Sequence, residues 1–189
     1  MGAELAGVHL GRLDPHEDDR GTFTEVFATH WGTGVDPTQW SLVRSHAGVL
    51  RGMHLHLRHD ELLTVTSGVL WVGLHDLRPE SPTAGRSQLL RLAGEEPTTL
   101  AFPRGLVHGW IAETAVTHLQ AVSESYVDYA ATDNLGCRWD DPDLGLDWPV
   151  APRTTSRRSA GFGSLSDLRA VVAASAGRPF AIDLGAAAR

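Results

Sequence analysis

The chain has 189 residues, of which 42% are hydrophobic and 21% charged, with a formal net charge of −7; one domain spanning 1–189, with a sizeable buried core, is expected. The acidic balance and the lack of a dense Lys/Arg cluster exclude a nucleic-acid partner. One cysteine, Cys137, excludes an internal disulfide and fits a reducing compartment.

No apolar run approaches the roughly 20 residues of a membrane span, and the first residues carry no signal-peptide pattern. A cytoplasmic protein without a membrane partner is the expectation. In chain order, residues 5–30 read as short strands around a turn at Asp18-Asp19-Arg20-Gly21, with alternation continuing from Thr22 to Phe27. Residues 39–46 alternate again. From Gly48 to Leu77, aliphatic and β-branched residues cut by Ser67-Gly68 read as a hairpin of long strands. A turn-rich connection at Asp76–Thr83 follows, then strands at 87–92, 98–102, 107–113 and 116–126. Residues 150–163 read as a loop. The one convincing helix lies at 164–176, with Ser164 or Ser166 as its N-cap. The spacing of the strands is that of an all-β sandwich or barrel.

Four residues carry the chemistry. His54 and His56 sit two apart and so share one face of a strand. Glu61 follows on the return of the same hairpin, and His108 comes from a distant strand. They stand in Gly48-x5-His54-x-His56-x4-Glu61-x6-Gly68 and Pro103-x-Gly105-x2-His108, the spacing of the two cupin motifs. Three imidazoles and a carboxylate suit one divalent metal ion, with Fe, Ni, Mn, Zn and Cu all compatible, and leave positions open for a substrate. The plain alternative is surface histidines in a chain that has ten. No P-loop, dinucleotide fingerprint or serine-nucleophile elbow is present, which removes phosphoryl transfer, nicotinamide chemistry and serine hydrolysis.

Residues 14–149 resemble the dTDP-4-dehydrorhamnose 3,5-epimerase family. The stretches that carry the resemblance are Asp19-Arg20-Gly21-Thr22-Phe23-x-Glu25, Gly48–His54, Asp76–Gly85, Pro103-x-Gly105-x2-His108-Gly109-Trp110, and Trp139 to Pro149. The resemblance implies a homodimeric cupin jelly-roll β-barrel, here with a C-terminal helix. It also implies a metal-free epimerase in which the histidine matched by His54 is the base. Across the implied dimer interface, Arg20, Phe23 and Glu25 would contact a nucleotide. Gln39 and Ser45 match further polar contacts, Arg51 would face the diphosphate, and Trp110 could stack on a ring substrate.

The sequence departs from that pattern at the reacting centre. Glu61 stands where the family has a lysine that stabilises the enolate. His118 aligns with the tyrosine acid, and Ser159 with the aspartate that orients the base. An anion in place of that lysine opposes an enolate oxygen unless it holds a cation. The expectation is therefore a metal-dependent enzyme, with His54, His56, Glu61 and His108 as ligands and His118 or Tyr126 moving the proton. Its reaction would be an enolate-type epimerisation, isomerisation or cyclisation of a small molecule, a nucleotide sugar among the candidates, in specialised metabolism such as antibiotic biosynthesis. An Fe(II)/O2 dioxygenase or oxidative cyclase, a metal-free dTDP-sugar epimerase using His54, and a non-catalytic nucleotide-sugar-binding relative are the alternatives.

Overall fold

The computed structural model describes residues 4–129 and 133–174. The chain begins with β1 (His9–Arg12) and a hairpin of β2 (His16–Asp18) and β3 (Gly21–Phe23). The Asp18 carboxylate accepts from the backbone N–H and guanidinium of Arg20 and closes the hairpin turn. The strand expected to run on to Phe27 stops at Phe23.

Eight longer strands follow. They are β4 (Gln39–Ser45), β5 (Val49–Leu55), β6 (Glu61–Ser67), β7 (Val69–Asp76), β8 (Ser87–Ala93), β9 (Thr98–Phe102), β10 (Leu106–Ala112) and β11 (Val116–Val122). β11 is shorter than the expected 116–126 and is followed by a single helical turn, α1 (Tyr126–Tyr129). Two-residue strands β12 (Leu135–Gly136) and β13 (Thr154–Thr155), a turn α2 (Arg157–Ala160) and helix α3 (Leu165–Ala174) complete the chain. Of the expected helix, residues 175 and 176 lie outside the described residues.

One sheet runs β1-β9-β6-β11-β4, and the other β12-β5-β10-β7-β8 with β13 parallel on β5. Their facing sides bury Leu63, Val65, Leu70, Val72, Leu100 and Phe102 between them, so the architecture is a jelly-roll barrel. In α3, Leu165, Leu168 and Val172 recur at helical spacing and pack outside the second sheet against Leu55, Val107 and Cys137. Ser164 caps this helix reciprocally with Asp167, Asp167 N donating to Ser164 Oγ at 3.0 Å and Ser164 N to Asp167 Oδ2 at 2.9 Å. Among the described residues, no helix is long and apolar enough to cross a membrane.

Gly68 joins β6 to β7 at φ +80°, and a Cβ there would lie 2.1 Å from the Ala115 carbonyl oxygen. Both the left-handed backbone and that contact exclude a side chain. Gly68→Ala is therefore expected to cost on the order of 2 kcal/mol or more of stability. Urea unfolding checks this, and an unchanged midpoint contradicts it.

Candidate active site

Alternation along β5 turns His54 to the barrel interior, His56 follows just past the end of that strand, and register places His108 of β10 directly beside His54. Glu61 opens β6 in the facing sheet, with Val122 of β11 as its neighbour. Its carboxylate is 2% exposed and collects donors from both sheets. Glu61 Oε1 lies 3.1 Å from His56 Nε2, 3.4 Å from His108 Nε2 and 3.5 Å from His59 Nε2. Glu61 Oε2 accepts from Gln120 Nε2 at 2.9 Å.

The far side of each ring is also fixed. His108 Nδ1 donates to the Leu106 carbonyl at 3.0 Å, and His56 Nδ1 donates to the Asp133 carbonyl. With Nδ1 protonated, Nε2 of a neutral ring presents a lone pair toward Glu61. Lone pairs and a carboxylate converging on one point repel unless a proton or a cation lies among them. Backbone carbonyls that orient imidazoles in this way are also what support metal ligands elsewhere.

His59 supplies one positive charge. Its Nδ1 lies 3.1 Å from Asp133 Oδ2, opposite the contact to Glu61. Burial works against charging this ring, but Asp133 and Glu61 outweigh it and raise its pKa to about 9. Asp133 itself is held by the backbone N–H groups of Leu57 and Arg58 at 2.6 and 3.0 Å. Burial alone would push the Glu61 carboxyl up, yet His108, His56 and His59 hold it well below the usual range. Glu61 is an anion in this structure.

His54 stands apart. Its ring centroid is 6.3 Å from that of His56 and 6.2 Å from that of His108, and Phe162 packs edge-on at 5.9 Å. Candidate ligand atoms of His56, Glu61 and His108 lie within 4.8 Å of one another, as do those of His56, His59 and Asp133; His54 joins neither group. The expected four-residue set is therefore reduced to three. Burial, the largest influence, lowers the His54 pKa to about 3, so its ring is neutral.

These groups line a cleft of about 610 Å³ that also takes in Arg51, Trp110 and Gln120. The stretch expected to be a loop, 150–163, forms a wall of this cleft. β13 docks on β5, and the turn after it delivers Ser156, Arg158 and Ser159. His118, expected to face the substrate, is wholly buried behind Trp110, its ring meeting the indole edge-on at 5.4 Å. Gln120, two residues along the same face of β11, occupies the cleft instead. Tyr126 lies beyond the end of β11, half exposed and outside the cleft lining. Gln39 Oε1 accepts from Ser125 Oγ and Tyr126 N, and Ser45 Oγ accepts from Arg51 Nε at 3.0 Å, so both brace their neighbours. Arg20, Phe23 and Glu25 are exposed and line no part of their own chain's cleft. Sequence reasoning did not put forward His59, Asp133 or Gln120 as site residues. Gln120 was legible from its period-two relation to Val122, but Asp133 is placed by a connection without periodicity.

Neither ring nitrogen of His118 has a hydrogen-bond partner among the described residues. Burial first, and the charge of Arg51 second, lower its pKa to about 4. The unfolded chain protonates this ring near pH 6.5 whereas the folded chain resists, so its contribution is complete above 6.5 and is lost as pH falls toward 4. His118→Leu is expected to flatten that acid-side loss and keep or raise the unfolding midpoint at neutral pH, with turnover intact. A collapse of turnover in a folded variant would restore His118 as a catalytic group.

The family model described as dTDP-4-dehydrorhamnose 3,5-epimerase matches residues 2–167. A spore coat polysaccharide biosynthesis protein, SpsL of Bacillus subtilis, is 31% identical over 152 residues, covering 76% of this chain and 96% of that protein. The dTDP-4-dehydrorhamnose 3,5-epimerase of Sinorhizobium fredii is 31% identical over 177 residues, covering 87% and 88%. Among solved structures, ChmJ, a 3'-monoepimerase from Streptomyces bikiniensis in complex with dTDP-quinovose, superposes with a TM-score of 0.81 at 25% identity, covering 90% of each chain. With a jelly-roll barrel, a histidine-lined cleft and a family match over most of its length, the chain belongs to the dTDP-4-dehydrorhamnose 3,5-epimerase family, a family of isomerases.

Proposed function

We propose that this chain removes the proton beside the carbonyl of a dTDP-4-keto-6-deoxy sugar, with His54 as the base, and that His56, Glu61 and His108 hold one divalent cation. The observation that carries the reading is the separation of His54 from the Glu61 cluster. A ligating imidazole cannot also accept a proton, and here the two tasks fall to different rings. His54 lines the cleft as a neutral ring, while His56 and His108 have Nδ1 bound to backbone carbonyls and Nε2 turned to Glu61. The donor set of two imidazoles and a carboxylate suits Fe, Ni, Mn, Zn or Cu. When bound, such a cation supplies positive charge to a carbonyl or enolate oxygen, replacing what the lysine provides in the family.

His54 takes the proton, and Ser159, where the family has an aspartate, leaves it without a carboxylate to raise its basicity. Such a weak base needs a strongly acidified C–H. Trp110 and Gln120 bound the space for the sugar ring, and Arg51 and Arg158 add positive charge for the diphosphate. Arg20, Phe23 and Glu25 would meet the nucleotide across a homodimer interface; support comes from the 66% exposure of Phe23 and from the distance of all three from their own cleft.

A metal-free reading rests on a different observation: His59, charged between Asp133 and Glu61, already balances part of the anionic charge. Elemental analysis of chelator-free protein separates the two, with near one metal per chain expected and strong loss in His56→Ala and Glu61→Ala. His54→Gln is expected to keep the metal and abolish deuterium exchange beside the carbonyl. Exchange that persists at full rate in metal-free protein would overturn the cation.

A further inference from the structure

We propose that Gln120 is a specificity-determining residue: its carbonyl oxygen accepts a hydrogen bond from a hydroxyl of the sugar ring, so that the cleft selects a 4-keto sugar carrying that hydroxyl over its deoxy counterpart. That role rests on the nucleotide-sugar substrate given above and specifies how its ring is recognised.

A carboxamide can present either end to a substrate, and the ends ask for opposite partners, the oxygen for a donor and the nitrogen for an acceptor. Here a neighbour decides which end faces the cleft. Gln120 Nε2 donates to Glu61 Oε2 at 2.9 Å, a bond strengthened by the charge of the acceptor. Turned end for end, the side chain would set its own oxygen against the carboxylate, acceptor against acceptor. Glu61 is in turn a fixed reference, because its other oxygen lies 3.1, 3.4 and 3.5 Å from Nε2 of His56, His108 and His59. Nε2 of Gln120 is committed to Glu61, and its second N–H shares that end. Gln120 forms part of the cleft wall, so Oε1 is the atom it turns to an occupant.

The backbone beneath this amide is held from both sides. Gln120 lies within β11, opposite Leu63 of β6 and Ser41 of β4, and a group mounted inside a sheet is placed more precisely than one on a loop. Two residues away along the same face stand His118, sealed behind Trp110, and Val122, an aliphatic part of the lining. Gln120 is half-buried, deep enough to be shielded from bulk water and open enough to be touched.

The partner's chemistry follows from the atom presented. The keto oxygen at C4 only accepts, so it cannot pair with Oε1. The hydroxyls at C2 and C3 donate, and one of them is the group this wall reads. An analogue lacking that hydroxyl shuts Oε1 away from water with no donor in reach, and leaving a buried acceptor unpaired costs more than the bond itself is worth. Sites built around a hydroxyl therefore reject its absence more strongly than apolar pockets reject its presence. The amide neither takes nor gives a proton near neutrality, so its part is recognition.

The test uses the full chain with dTDP-4-keto-6-deoxyglucose and its 2-deoxy and 3-deoxy counterparts, measuring binding by calorimetry and deuterium uptake beside the carbonyl by NMR. The parent is expected to lose roughly 10- to 100-fold in affinity and in kcat/KM against one of the two deoxy sugars. In Gln120→Met, of similar shape but without the amide oxygen, that preference is expected to vanish, whatever uniform loss the change brings through Glu61. A parent indifferent to both hydroxyls would overturn the role, and that comparison needs no variant to fold. A folded Gln120→Met protein that keeps the parent's preference would overturn it as well. Selective binding without deuterium uptake would uphold the role of Gln120 and overturn deprotonation by His54.

Discussion

A carboxylate buried between two sheets sets the terms for everything around it. Glu61 is 2% exposed, and taking an anion out of water costs several kcal/mol even after relaxation. The barrel offsets this by directing three imidazoles and one carboxamide onto its two oxygens. Those partners need partners of their own. The Asp133 segment carries the carbonyl that holds His56 and the carboxylate that holds His59, and two backbone amides of the 57–58 turn hold that carboxylate. A polar network this deep is stable only when its members are satisfied, and Asp133 meets that need for both His56 and His59.

The barrel was legible in the sequence because period-two alternation and turn residues are local signals. β4 to β10 fall within a residue or two of their expected positions, and Gly68 marks its hairpin by the positive φ only glycine adopts readily. His54, His56, Glu61 and His108 were readable as a group because strand alternation and motif spacing fix which way each points. Their division into one lone ring and a cluster was not readable. Spacing says that two side chains share a face; the ring torsions that carry one nitrogen to Glu61 and the other away depend on the Asp133 and Leu106 carbonyls, which are placed by tertiary structure.

The same limit explains His118. Its position on the inward face of β11 follows from alternation, but depth along the barrel does not. One step of two residues along the strand separates a ring sealed behind Trp110 from a side chain that reaches the substrate space. Residues 150–163 read as a loop because serines, arginines and glycines carry no periodicity, yet two residues of parallel pairing on β5 are enough to bring Ser159 and Arg158 to the cleft.

Within a shared barrel, chemistry is decided by which wall carries which group. The family pattern pairs a basic histidine with an orienting aspartate, an enolate-stabilising lysine and a tyrosine acid. Here Ser159 and Glu61 align with the aspartate and the lysine and His118 with the tyrosine, but His118 is buried behind Trp110 and Gln120 faces the cleft instead. An anionic Glu61 is tolerable only with imidazoles around it, and those come from the connection between β5 and β6 (His56, His59) and from β10 (His108). Together they compensate the buried carboxylate, and Gln120 adds an amide from the same sheet as Glu61. Keeping Glu61 ionised fixes where three imidazoles must stand, and His54 is the ring left out of that task.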